Sequence, residues 1–375
     1  MKYILRNSSV INGKKNLEHI YTYKNFPVFI GVTDQTMKAD LFADLTISIC
    51  RDTGIIQLDK VLPLELVYSG YHSEALGGVW QKHHQEFIAF IKKCNLKNVL
   101  EIGGSNGRLA IDFTDSDKRI NWVIVEPNPV IVSHPQIKFI KKLFDSDFDY
   151  DRRIDGLIHS HTFEHMYNPR KFLKKVASLL KTGQLHIFSV PNLYAYLKNG
   201  FTNVLNFEHT IFLTEYFVDY LLYKYQFKII EKKYFADHSI FYATQKSDIK
   251  TKFRLRSQYS KYKKMYINYI GNNDKFIKKL NKKIDSFPGE LYLFGAHVFS
   301  QYLINQGLHT DKLRGILDNS KVKQGKRLYG SPFNIHSPKI LEKRKNIAVI
   351  LRAEVYQNEV KKQLKTINSG VKIWE

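Results

Sequence analysis

One stretch constrains this chain more than any other: VLEIGGSNGRLA, residues 99–110. It opens as a buried strand and runs into Gly103, Gly104 and Gly107, after which a helical pattern begins at Arg108. Glycines so placed serve where backbone must turn sharply or let a ligand come close. The next apolar run, NWVIVEP (121–127), ends in Glu126. A carboxylate about twenty residues beyond such a turn can accept both hydroxyls of a ribose.

The loop itself narrows the ligand. A dinucleotide would set its pyrophosphate at the helix N-terminus, but Glu101 is a poor neighbour for phosphate and a good one for a cation. Glu101, Gly103, Gly104, Asn106, Gly107 and Glu126 are therefore expected to hold a ligand with a ribose and a positive charge. S-adenosylmethionine fits that description.

The unit continues on both sides. GGVWQKHHQEFIAFIKKC (77–94) has apolar residues at helical spacing through Val79, Phe87, Ile88 and Ile91; His83 and His84 on this helix are expected to face solvent. Strands KFIKKLF and IDGLIHSHT (154–162), the helix NPRKFLKKVASLL (168–180) and the strand QLHIFSVP (184–191) follow. Apolar strands separated by helices imply right-handed crossovers and a parallel sheet covered on both faces. LTEYFVDYLLYKYQF reads as an amphipathic helix and FKIIEKKYFADHSIFYATQ as a pair of strands. A second alternating unit begins at LYLFGAHVFSQYLINQG (291–307) and ends in VKIWE. Residues 1–80 show short strand-like runs, PVFIGV, LTISIC and GIIQLD, without helical period.

At 375 residues the chain should hold two or three domains. Lys and Arg number 58 against 35 Asp and Glu, a net charge of +23, much of it in residues 248–286. There the basic residues are spread around a helix, which reads as a solvated surface element ahead of a binding face. No nucleic-acid motif accompanies the charge, so no nucleic-acid partner is expected. No apolar run approaches the ~18 residues of a membrane span, and the first residues lack the apolar core of a secretory signal, which makes a cytoplasmic location the expectation. Cys50 and Cys94, the two cysteines, can build neither a disulfide framework nor a four-thiolate zinc site, and no metal site is expected.

Residues 97–191 resemble the class I, Rossmann-like S-adenosylmethionine-dependent methyltransferases. By that resemblance Ser160 and His161, at the end of the fourth strand, line the cofactor and face the substrate. The flanks are similar to the sugar C-methyltransferases that act on nucleotide-linked 4-keto-deoxysugars. ISICRDTGIIQL (47–58) resembles their zinc-binding turn, LVYSGYHSEALGGVWQKHHQEF the segment before the core, EHTIFLT their glutamate–histidine motif, and LFGAHVFSQYLI, GILDNSKVKQGKRLYGSP and VILRA their C-terminal domain. In the zinc turn Asp52-Thr53-Gly54 stands where a second cysteine belongs, so the N-terminal module is expected to hold its shape by packing alone.

The resulting expectation is an α/β chain in four parts: a zinc-less, mainly-β N-terminal module (1–76), a Rossmann-like methyltransferase core (77–247), a basic helical linker (248–286) and a small C-terminal α/β domain (287–375). The resemblance implies His209 as a base, Glu208 beside it, Tyr71 as a donor to a developing oxyanion, and His165 as a further acid/base or orienting group. A neutral imidazole suits a base near physiological pH. On the residues alone, Glu208-His209 could equally be a polar pair at a loop mouth, His165 could cap the helix near Asn168, and Asp318-Asn319 could close a turn. The expected substrate is a nucleotide-linked sugar or a surface-glycan precursor, methylated on carbon or on a hydroxyl. An RNA methyltransferase and an inactive scaffold stay open as alternatives, and nothing in the sequence fixes an oligomeric state.

Overall fold

The computed structural model describes residues 2–69, 78–115, 117, 119–249, 253–353 and 356–375. The N-terminal module holds β1 (Ile4–Leu5), β2 (Leu17–Pro27), β3 (Val32–Thr33), β4 (Phe42–Cys50), β5 (Ile56–Leu58), β6 (Lys60–Val61) and the short α1 (Leu64–Val67). Strands β2, β4 and β5 form an antiparallel sheet. The 11-residue β2 escapes detection from sequence because its register shifts between His19 and Tyr21 and again between Tyr23 and Phe26, which destroys the two-residue alternation. The turn at Asp52-Thr53-Gly54 is closed by backbone bonds and by Gln258 N–H donating to Thr53 O at 2.9 Å. Ile47, Ile49, Cys50, Ile55, Ile56 and Leu58 are buried around it.

Next come α2 (Gly78–Lys92), β7 (Asn98–Ile102), α3 (Arg108–Thr114), β8 (Asn121–Val125), β9 (Ile137–Ile140), β10 (Gly156–Ser160), α4 (Pro169–Leu179), β11 (Leu185–Pro191), α5 (Leu193–Asn199), α6 (Glu215–Lys224), β12 (Phe227–Phe235) and β13 (Ser239–Lys246). Their sheet runs β9-β8-β7-β10-β11-β13-β12. The first five are parallel, and β13 is antiparallel to both neighbours. The chain starts at β7, winds out to β9, then returns beside β7 as β10, leaving a switch point between them where ligands bind in such sheets. Helix α4 starts on its own cap, Asn168 Oδ1 accepting from Lys171 N–H at 3.0 Å, so His165 is not needed as a cap.

Helix α7 (Tyr259–Ser286) is 28 residues long and is more than a solvated linker. Tyr262, Tyr266, Tyr269, Ile270, Ile277, Leu280 and Ile284 are buried along one face. Tyr266 stacks edge-on to Phe212, and Tyr262 bonds Thr214 at 2.8 Å. The stripe is hard to read because its N-terminal half is tyrosine, interleaved with lysines that surround the exposed face. None of the described helices is long and apolar enough to cross a membrane.

The C-terminal unit holds β14 (Glu290–Phe294), α8 (Val298–Asn305), β15 (Leu313–Leu317), β16 (Arg327–Leu328), β17 (Ile335–His336), β18 (Ile347–Leu351), α9 (Gln357–Ile367) and β19 (Lys372–Trp374). A parallel sheet of order β17-β15-β14-β18-β19 is its centre. Asp318 closes the turn before α8, accepting from Ala296 N–H and Ser320 N–H at 2.8 Å each. Strand β16 pairs with β3, and the buried Asp40 carboxylate takes both Arg327 amines at 2.7 Å, so this unit is joined to the N-terminal module.

The N-terminal module also carries residues 210–212 as an added strand. Leu58 N–H donates to Thr210 O and Phe212 N–H to Ile56 O, each at 2.9 Å. Arg6 ties this junction, donating to Thr210 O (2.9 Å), Tyr167 O (3.0 Å) and Leu58 O (3.2 Å); burial pushes its guanidinium down to about 10. Replacing Arg6 by Met keeps the stem and strands three carbonyls. We expect a loss of about 3 kcal/mol in denaturant unfolding, together with reduced turnover, since both segments that carry the site hang from this residue.

Candidate active site

The glycine loop lies at the C-terminal end of β7. Gly103, Ser105 and Gly107 take φ of 72°, 47° and 74°, and Gly107 opens α3. A Cβ on Gly104 would lie 2.7 Å from Ile124 Cγ2 and 2.9 Å from the Glu101 carboxyl carbon. Glu126 folds back on the loop, accepting from Ser105 N–H at 3.2 Å and from Asn128 N–H at 3.1 Å. Asn106 Oδ1 accepts from Arg108 N–H at 3.1 Å, fixing the first turn of α3. Glu101 is buried beneath the loop and accepts the Trp122 indole N–H at 2.8 Å; burial pushes its carboxyl up to about 7. A loop whose amide faces a carboxylate repels a pyrophosphate and accommodates a ribose, so these residues fit S-adenosylmethionine. Gly104→Ala should fold yet bind S-adenosylhomocysteine about tenfold to a hundredfold more weakly by calorimetry, the effect of 1–3 kcal/mol of overpacking taken up by the loop.

The segment after β10 turns at once. Ser160 Oγ bonds Ser189 Oγ at 2.8 Å, and His161 adopts φ 50°. A single 3-10 turn, Phe163–His165, follows. Glu164 is buried with Oε1 3.4 Å from His161 Nδ1; burial would raise its carboxyl, but the His161 contact and the surrounding imidazoles hold it down at about 2. His165 Nδ1 lies 3.6 Å from Glu208 Oε2, and its ring centre lies 5.0 Å from that of His209. Three of the four residues expected to be catalytic, His165, Glu208 and His209, are thus together. The fourth, Tyr71, lies outside the described residues.

Asn206 sets the geometry of the pair. Its Oδ1 accepts from Glu208 N–H at 2.9 Å and His209 N–H at 2.8 Å, while Thr210 Oγ1 donates to Met166 O at 3.3 Å. His209 Nδ1 is buried without a hydrogen-bond partner among the described residues. Burial, then the neighbouring His165, pushes the His209 imidazole down to about 4, against the pull of Glu164 and Glu208. It is neutral at physiological pH.

Other residues join that no motif flagged. The Tyr68 phenol is pushed well up by burial and then by Glu208, Glu126 and Glu164, which places it in the field of both the cofactor loop and the catalytic turn. It precedes Tyr71 by three positions in the same sequence segment. His297, at the start of α8, is pushed down to about 3 by burial and Lys323, with Glu208 and His209 also acting on it. Lys323 donates to Ala296 O at 3.1 Å and lies 3.6 Å from Asp318. His297 of the C-terminal unit therefore lies within electrostatic reach of the Glu208-His209 turn.

The expectation that His83 faces solvent is overturned: it is fully buried. The signal was available, since His83 stands four residues before Phe87 on the same apolar stripe.

A parallel sheet of this order, with a glycine loop at its switch point and an acid on the next strand, defines a Rossmann-like class I methyltransferase core. Residues 78–232 match a family of methyltransferase domains, and the chain carries an S-adenosylmethionine-dependent methyltransferase within this segment. Among solved structures, similar folds include N-methyltransferase NodS from Bradyrhizobium japonicum WM9 (11% identity, 45% of this chain and 97% of that one, TM-score 0.35). Human N-acetylserotonin methyltransferase in complex with S-adenosylmethionine gives 15% identity over 45% of this chain and 53% of that one, TM-score 0.38. A methyltransferase from Aquifex aeolicus gives 13%, 42%, 88% and 0.36 in the same order. With such scores none of them informs on substrate or mechanism. Comparison with curated proteins by sequence gives no match.

Proposed function

We propose that the protein methylates a sugar, carried on a nucleotide or as a surface-glycan precursor, in the cytoplasm, with His209 as base. The support for this reading is that His297 of the C-terminal unit lies within electrostatic reach of the core residues Glu208 and His209: burial, then Lys323 and His209, push its imidazole down and Glu208 opposes them. An acceptor between them would present its reacting group to His209 and an anionic part to Lys323, to which the chain's +23 charge is also complementary.

S-adenosylmethionine supplies an electrophilic methyl group on sulfonium. The chain positions the acceptor in line, which is where most of the acceleration in such transfers arises. Neutral His209 takes the acceptor's proton, and the Glu208 and Glu164 carboxylates favour the imidazolium that forms. The Tyr68 phenol, held protonated, can donate to an oxygen gaining charge, the role the resemblance gives to Tyr71.

Carbon and oxygen acceptors make different demands. A C–H beside a ketone needs a strong base, whereas a hydroxyl releases its proton as the methyl arrives. A His209 held down at about 4 is a weak base, which favours a hydroxyl as the second reading. Calorimetry with S-adenosylhomocysteine, then with nucleotide sugars on the same sample, tests the class. Coupled micromolar binding supports it, and absence of cofactor binding sinks it. Incubating the bound sugar in deuterated water without cofactor separates the modes: exchange at carbon indicates C-transfer and no exchange O-transfer.

A further inference from the structure

Three imidazoles converge beside the site from three separate elements. His83 comes from α2, His161 from the turn after β10, and His238 from the residue before β13. One ligand-capable nitrogen of each lies within 4.8 Å of the others. His83 is fully buried, and neither of its ring nitrogens has a hydrogen-bond partner among the described residues. Leaving a buried polar atom unpaired is costly, and His83 carries two such atoms. His238 is also buried, and Trp80 packs over all three rings, its centre 4.7–5.1 Å from theirs.

The surroundings are arranged as they are behind metal-bound imidazoles. Ser239 Oγ backs His238 at Nδ1 at 2.6 Å, and the buried Glu164 carboxylate lies 3.4 Å from His161 Nδ1, close enough to take that role once the ring shifts. A carboxylate or hydroxyl on the far nitrogen fixes the ring and raises its strength as a ligand. His161 holds a left-handed backbone, φ 50°, a conformation disfavoured for a residue with a side chain.

We propose that His83, His161 and His238 bind one divalent transition-metal ion, zinc by donor chemistry, at a site separate from the catalytic turn. Three neutral nitrogens suit zinc, cobalt, nickel or copper and not magnesium or calcium, which take oxygen ligands. Nitrogens about 2.0–2.1 Å from zinc stand roughly 3.3 Å apart in a tetrahedron, a spacing compatible with ligand atoms that all lie within 4.8 Å of one another. Binding asks for one exchange: His161 Nε2 now shares the Ser239 hydroxyl at 2.8 Å and gives it up for the metal, while Ser239 keeps His238. The ion would tie α2 to β10 and β13 and would leave a fourth position for water or an acceptor oxygen. This departs from the sequence reading, in which the missing thiolates near Cys50 implied no metal at all; no cysteine takes part here.

The test is cobalt titration of the full chain after chelator treatment. One equivalent should give the intense visible bands of a four-coordinate ion, quench the fluorescence of Trp80, raise Tm by several degrees and be displaced by zinc, with magnesium inert. His83→Phe and His238→Phe should abolish the bands, while His84→Gln and His209→Ala keep them. Absence of the bands in the wild-type protein overturns the proposal, and that measurement does not depend on any variant folding. Bands that survive in His83→Phe but vanish in His209→Ala would also overturn it, by moving the metal to Glu164, His165 and His209.

Discussion

Replacing His209 with alanine is expected to lower kcat by about a hundredfold to ten-thousandfold, the usual worth of a positioned general base. Affinity for S-adenosylhomocysteine should stay within about twofold, because His209 hangs from Asn206 while the glycine loop is tied by its own bonds to Glu126, with no residue shared between them. A parallel loss of cofactor affinity would show that the ring only props the fold. The wild-type pH profile gives a second check. Because burial holds the imidazole down to about 4, the acid limb of kcat/KM should fall near pH 4–5 in place of 6.5. A limb at 6.5 would mean that the ring is not the base or is not buried when substrate is bound.

The contrast between what the sequence disclosed and what it hid has a physical basis. The core was legible because β7, β8, β10 and β11 are buried on both faces and read as continuous apolar runs, and because Gly103 and Gly107 hold backbone angles that few other residues tolerate. Motif residues that act through their immediate neighbours, such as Glu126 and Asn206, were visible or nearly so. Residues that act across the fold were not. Arg6 serves the site from 204 residues away, through carbonyls that leave no trace in side-chain pattern. His238 and His83 meet only because β13 inserts between β11 and β12. The C-terminal unit was readable as alternating strands and helices, but nothing in LFGAHVFS placed His297 within the electrostatic reach of Glu208. Tyr68 carries no motif mark of its own, and only its burial and the neighbouring carboxylates draw attention to it.

Buried neutral imidazoles make a second large effect: the protein should unfold steeply in mild acid. His159 and His186 lie in the sheet with their Nε2 atoms 3.0 Å apart; burial holds the first well below its ordinary value and the second down to about 3. Burial likewise sets His209 at about 4 and His297 at about 3. In the unfolded chain all four titrate near 6.5. Their contribution is therefore complete above pH 6.5 and lost as pH falls toward 3–4, because the unfolded chain takes up protons that the native one refuses. Glu101 works the other way. Its carboxyl is raised to about 7, so its contribution is present below about 4.5 and lost as pH rises through 7, one proton of opposite sign. His83 and His238, which burial also holds down, add in the same direction once chelator removes any ion, so the count that follows is a minimum. Four imidazoles against one carboxyl leave three protons, a slope of about 4 kcal/mol per pH unit. Against a total stability of about 5–15 kcal/mol, two to three pH units suffice, and in the presence of chelator the far-UV circular dichroism should collapse near pH 4 within about one pH unit. A His159→Leu/His186→Leu variant that folds should shift that midpoint to lower pH. A wild-type signal unchanged down to pH 3 would mean that these rings reach water in the native state and that the sheet's interior is less dry than its packing indicates.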